Sequence, residues 1–85
     1  MSGKNEIIME FSSNSENESL ARTVISAFVA RLDPTLEELA DIKTAVSEAV
    51  TNAIIHGYEK NPGMVRMAAK IEDNVVSVEI SDTGA

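Results

Sequence analysis

The spacing of apolar positions along this chain changes period twice, and each change marks an element. Glu6 to Phe11 (EIIMEF) is a short apolar run closed by the polar stretch from Ser12 to Asn17, which predicts a first strand whose buried face is ambiguous. Leu20, Ala21, Val24, Ile25, Phe28 and Leu32 then recur at three- and four-residue spacing, predicting an amphipathic helix from about Glu16 to Arg31. Ser15 and Glu18 have the spacing of a capping box at its start. Asp33-Pro34 stops this helix and opens the next, with Asp33 as N-cap, Pro34 at the first helical position and Glu37 and Glu38 in the first turn. That second helix is expected to reach His56, with Gly57 as its C-terminal cap. Beyond the loop at 59–63 the period falls to two. Val65, Met67, Ala69 and Ile71 share one face of a strand, and after an Asp73-Asn74 turn Val76, Val78 and Ile80 repeat the alternation on its hairpin partner. The order β-α-α-β-β predicts an α+β fold, a two-layer sandwich of helices on a mixed or antiparallel sheet.

On a helical wheel the second helix places Leu39, Ile42, Val46, Ala49, Val50 and Ala53 on one broad stripe, which is expected to face the sheet. From Thr44 to Tyr58 its one formal charge is Glu48, and a stretch so poor in charge reads as covered on most of its sides. Asn52 follows one turn later, so the two β-carbons lie within roughly 6 Å and both side chains can meet one small object. Thr44 and Thr51 lie near that side, and Ile55 projects there too, an apolar group that suggests a cover. Spacing alone leaves two readings open. Glu48 and Asn52 either close a hydrogen-bond network or hold a hydrated Mg²⁺ and orient a nucleophile. Asp82-Thr83-Gly84, at the end of the last strand, is either an ordinary turn or a carboxylate that accepts a hydrogen bond from an exocyclic amine beside a closely approaching backbone.

Composition narrows the classes. Fourteen acidic against seven basic residues give a net charge of −7, and the basic residues are scattered, which argues against direct binding of nucleic acid. With no cysteine there is neither a disulfide frame nor a thiolate metal site. No apolar run approaches a membrane span and the start lacks a secretory signal, so a soluble, cytoplasmic protein is expected. A chain of 85 residues makes one small domain that buries only roughly 60–65% of its unfolded surface, and exposed hairpin edges add to the expectation of self-association.

The helical string SEAVTNAIIHGYE, with Asp82-Thr-Gly84 about thirty residues on and NESLAR on the first helix, resembles the anti-sigma factor serine kinases. These belong to the Bergerat-fold ATPase superfamily that also holds DNA gyrase and the histidine kinases. The sporulation, sigma F-type branch is the nearest in likeness and the general-stress branch second. The resemblance spans residues 1–85 and implies the N-terminal portion of a single histidine-kinase-like ATPase domain. It implies that Asn52 coordinates the Mg²⁺ on the phosphates of ATP or ADP, that Glu48 is the general base toward a substrate serine, and that Asp82 binds the adenine amino group, with Gly84 shaping the pocket. The implied partners are a sigma factor held away from RNA polymerase core, an anti-anti-sigma protein phosphorylated on serine, and a second copy in a homodimer. Arg22, read from the wheel as a solubilising charge opposite the Leu20/Val24/Phe28 stripe, becomes by resemblance the docking contact for these partners. His56 reads as packed at the helix end, and Met64 and Met67 as strand and core residues. The family's glycine box has the pattern D-x-G-x-G, and Ala85 precedes its second glycine. These residues alone are therefore expected to bind ATP weakly or not at all, for want of the backbone N–H groups that cradle phosphate.

Overall fold

A computed structural model describes residues 4–60 and 63–82, with side chains described for 4–55 and 63–82. Strand β1 (Lys4–Ser12) leads into helix α1 (Glu16–Val29), a 3₁₀ turn (Ala30–Leu32) and the long helix α2 (Leu36–Lys60). The hairpin of β2 (Met64–Glu72) and β3 (Val75–Asp82) follows. The three strands form one antiparallel sheet in the order β1-β2-β3, so the fold is α+β with two helices over a three-stranded sheet.

Register settles which face of β1 is inward. Phe11 pairs with Val65, Met9 with Met67 and Ile7 with Ala69, and across the hairpin Val65 pairs with Asp82, Met67 with Ile80 and Ala69 with Val78. Directly paired residues share a face of an antiparallel sheet. Val65, Met67, Ala69 and Ile71 are buried, so this is the face under the helices. The turn between β2 and β3 has positive φ at both Asp73 (53°) and Asn74 (67°), as a type I′ connection requires and as the Asp-Asn pair predicts.

Each helix contributes a line of residues four apart: Ala21, Ile25 and Val29 from α1, and Val46, Val50 and Ile54 from α2, all buried. Leu39, Ile42 and Ala53 pack against this cluster, as expected, and Ile54 joins it although the wheel had not placed it there. On α1 the buried line is rotated from the expected one, and Leu20 is 48% exposed. Ser13, also buried, ties the end of β1 to the start of β2: its N–H donates to the Gly63 carbonyl (2.9 Å) and its Oγ accepts from the Gly63 N–H (3.1 Å).

Four expectations about helix ends and surroundings are corrected. Ser15 has helical φ and ψ and makes no side-chain cap. Asn14 Oδ1 caps instead, accepting from the Glu16 N–H at 2.9 Å, so the predicted box between Ser15 and Glu18 does not form. Asp33 is not the N-cap of α2. Its φ of 54° is left-handed, a conformation Asp tolerates, and it terminates the 3₁₀ turn by donating its N–H to the Ala30 carbonyl. The capping box is built one step on, where the Thr35 N–H donates to Glu38 Oε1 (2.9 Å) and the Glu38 N–H to Thr35 Oγ1 (3.0 Å). Gly57 does not cap α2, which continues in helical conformation to Lys60. Finally, α2 is not covered on most sides: Thr44, Ala45, Glu48, Thr51, Asn52 and Ile55 are exposed, Ile55 at 54%.

Candidate functional site

Helix α2 positions the site because its core and its chemistry occupy different sides of one rod. Val46, Val50 and Ile54 fix the rotation of the helix over the sheet. Glu48 and Asn52 then fall on the open side, one turn apart and both exposed, as the spacing predicts. An exposed carboxylate and an exposed amide so related present hard oxygen acceptors to a common ligand.

Between α1 and α2 runs a groove of about 280 Å³ lined by Arg22, Ala40, Lys43, Thr44, Ser47 and Glu48. It brings Arg22 and Glu48 into one site, a meeting of two candidates that no sequence spacing could show. Arg22 is not opposite the core of α1. It stands about 60° round the helix from the buried Ile25, on the shoulder that faces α2, and its neighbour Val29 is fully buried. Asn52 is on the same side of α2 as Glu48 but does not line this groove.

Asp82 ends β3 opposite Val65, on the sheet face that the helices cover, and is half-buried. Because α2 returns through the loop into the start of β2, the end of the sheet that carries Val65 and Asp82 is the end at which α2 finishes. Gly84 and the side chain of His56 lie outside the described residues. Met64 is a partly exposed strand residue and Met67 is fully buried, as expected for both.

Two polar groove residues, Lys43 and Ser47, escaped the sequence reading, and Glu18, read there only as part of a capping box, is bonded to one of them. The Glu18 carboxylate accepts a hydrogen bond from Ser47 Oγ at 2.5 Å, across 29 residues of sequence, and the same oxygen lies 3.7 Å from the Arg22 guanidinium. The Glu18–Arg22 half of this arrangement has the i, i+4 spacing that would have signalled it. The Ser47 half is long-range and carries no local signal. Among the described residues no group of three His, Asp or Glu side chains is gathered as a metal site. The exposed Asn52 offers one amide oxygen, a hard donor of the kind a hydrated Mg²⁺ accepts. No helix among the described residues is long and apolar enough to cross a membrane.

The chain is similar to three curated relatives, each called an anti-sigma F factor. That of Thermoanaerobacter pseudethanolicus is 58% identical over 80 residues, covering 94% of this chain and 56% of the relative. That of Caldanaerobacter subterraneus subsp. tengcongensis is 56% identical over 84 residues, covering 99% of this chain and 59% of the relative. That of Bacillus subtilis is 57% identical over 82 residues, covering 95% and 56%. The chain thus spans somewhat more than half the length of the relatives it matches. Residues 11–85 match the family described as the histidine kinase-like ATPase domain, and the chain, with its two helices packed on an antiparallel sheet, belongs to that family.

Proposed function

We propose that the protein carrying this chain is an ATP-dependent protein serine kinase that also acts as an anti-sigma factor. The observation that carries the reading is the open side of α2, where Glu48 and Asn52 stand one turn apart and Glu48 shares a groove with Arg22. The names of the relatives support the anti-sigma part, and membership of an ATPase family supports a nucleotide.

In this reading Glu48 accepts the proton of a partner's serine hydroxyl as the serine oxygen bonds to the γ-phosphorus of ATP and the bond to the bridging oxygen of ADP breaks. Asn52 holds the Mg²⁺ by its amide oxygen, and the ion, when bound with the nucleotide, neutralises phosphate charge. Asp82 accepts a hydrogen bond from the adenine amino group, and Gly84, two residues on in the sequence, is the family's pocket glycine by resemblance. Placing base and metal-holding amide on one rigid helix supplies what phosphoryl transfer chiefly demands, which is position. Arg22 docks the protein partners: a sigma factor of the sporulation type, held away from RNA polymerase core, and the anti-anti-sigma protein that is the phosphate acceptor. A homodimer in the cytoplasm is the expected working form, and a general-stress sigma factor is the alternative client.

Replacing Glu48 with Gln in the full-length protein tests the kinase. The substitution keeps the shape and a carbonyl acceptor but removes the base, so transfer to serine is expected to fall by about 10²–10⁴-fold while partner binding survives. Unchanged transfer would take the base role from Glu48, and no transfer by the parent protein would end the kinase reading and leave a protein-binding module whose α1–α2 groove serves docking alone. A phosphohistidine product would move the protein to the histidine kinases.

A further inference from the structure

We propose that Glu18 is a positioning residue for Arg22, anchored from the other helix by Ser47. The inference rests on the reading of Arg22 as the docking cation and names the device that aims it. The evidence begins with what Glu18 does not do. Its place three residues after Ser15 assigns it to a capping box, yet Asn14 caps α1 and the Glu18 side chain is left for other work. It turns to α2, where Ser47 Oγ donates to it at 2.5 Å, the length of a charge-assisted O–H···O⁻ bond.

The same oxygen, Oε2, lies 3.7 Å from Arg22 NH1. A surface Glu–Arg pair one turn apart is ordinarily a loose contact between two mobile chains. Here one member is pinned. The Glu18 side chain is only 21% exposed and is held by a residue 29 positions away, whereas that of Arg22 remains 42% exposed and open to a partner. Glu18 therefore fixes where the guanidinium sits without covering it. Charge gives a second reason for the arrangement. The carboxylate that lines the groove is Glu48, and a guanidinium released from Glu18 is free to pair with it, which would occupy the proposed base.

A partner that docks a carboxylate on Arg22 meets a side chain already oriented, and an unoriented arginine must be ordered at the moment of binding. Losing that ordering is expected to weaken partner binding roughly twofold to tenfold. The test is a double-mutant cycle on the full-length protein, with dissociation constants measured for the serine-bearing protein substrate. Glu18→Gln should raise Kd roughly twofold to tenfold, Arg22→Ala should raise it further, and the double variant should be no weaker than Arg22→Ala alone. Ser47→Ala, which keeps both charges and deletes only the bond between helices, should act in the same direction and again be silent in the Arg22→Ala background. It also serves should Glu18→Gln fail to fold. Additive effects, or a Kd for both Glu18→Gln and Ser47→Ala equal to that of the parent, would overturn the proposal, because a merely structural role for Glu18 is indifferent to whether Arg22 is present. A parent protein that neither binds nor phosphorylates a partner refutes instead the docking role of Arg22, and the positioning role with it.

Discussion

Two substitutions on one helix decide whether α2 is rotated as described, and the whole site depends on that rotation. Val50 is fully buried and Ile55 is 54% exposed, although they are only five residues apart, about 140° round the helix. Val50→Ala removes two methyl groups from the core, about 1.6 kcal/mol in transfer, and leaves a small cavity against the sheet, for a total of about 2–3 kcal/mol. For a domain of this size that lowers Tm by on the order of 10–20 °C. Ile55→Ala removes more carbon but from a half-wet position, and alanine is the better helix former, so its cost should stay under about 1 kcal/mol. Urea titration of the two variants, with the m-value as a check that the denatured state is unchanged, gives both numbers directly. An Ile55→Ala penalty equal to or larger than that of Val50→Ala would mean that the Ile55 side faces the core. Glu48 and Asn52 could not then be open to a nucleotide, and the proposed chemistry would fall with the rotation.

Thr35→Ala should destabilise by about 1 kcal/mol through loss of the reciprocal bonds with Glu38. Asp33→Gly should be neutral or slightly stabilising, because glycine suits a φ of 54° at least as well, and thermal unfolding separates the two. If Asp82 reads the adenine amino group, Asp82→Asn in the full-length protein should weaken ATP more than GTP and shrink the preference between them. Equal loss for both nucleotides in competition binding would count against an adenine role for Asp82.

Most of the fold was legible because it is written in periods. The alternation of Val65, Met67, Ala69 and Ile71 identifies a half-buried strand, and Asp73-Asn74 marks the turn whose positive φ values those residues tolerate. Helix ends were less legible because several residues near each junction can cap. Asp33 and Thr35 are both good N-caps on paper, and the left-handed backbone at Asp33 removes the first from contention. Ser15 and Glu18 match a box by spacing, but the backbone at Ser15 is already helical, so its hydroxyl has no orphan N–H within reach. That Glu48 and Asn52 share one side of α2 follows from the 3.6-residue period alone, whereas the roles proposed for them come from the family resemblance. The meeting of Arg22 with Glu48 and the bond from Ser47 to Glu18 depend on how two helices cross, and no local pattern encodes that.

The poverty of charge on the second half of α2 takes on a different meaning once the coordinates are known. Read from sequence, it suggests a helix surrounded by its own chain. In the structure the side bearing Thr44, Ala45, Glu48, Thr51, Asn52 and Ile55 is open, and apart from Glu48 it consists of small, neutral or apolar groups. A face that served only solubility would ordinarily carry several charges, particularly in a chain with a net charge of −7. A face that receives a polyphosphate has reason to avoid them: each added carboxylate repels the ligand, and each long side chain fills the space the ligand needs. On the proposed function, one carboxylate and one amide on a small-residue background is what a helix side kept clear for a charged ligand would retain, the single acid being the proposed base. On the same proposal, the contact between Arg22 and Glu18 keeps the guanidinium from pairing with that acid.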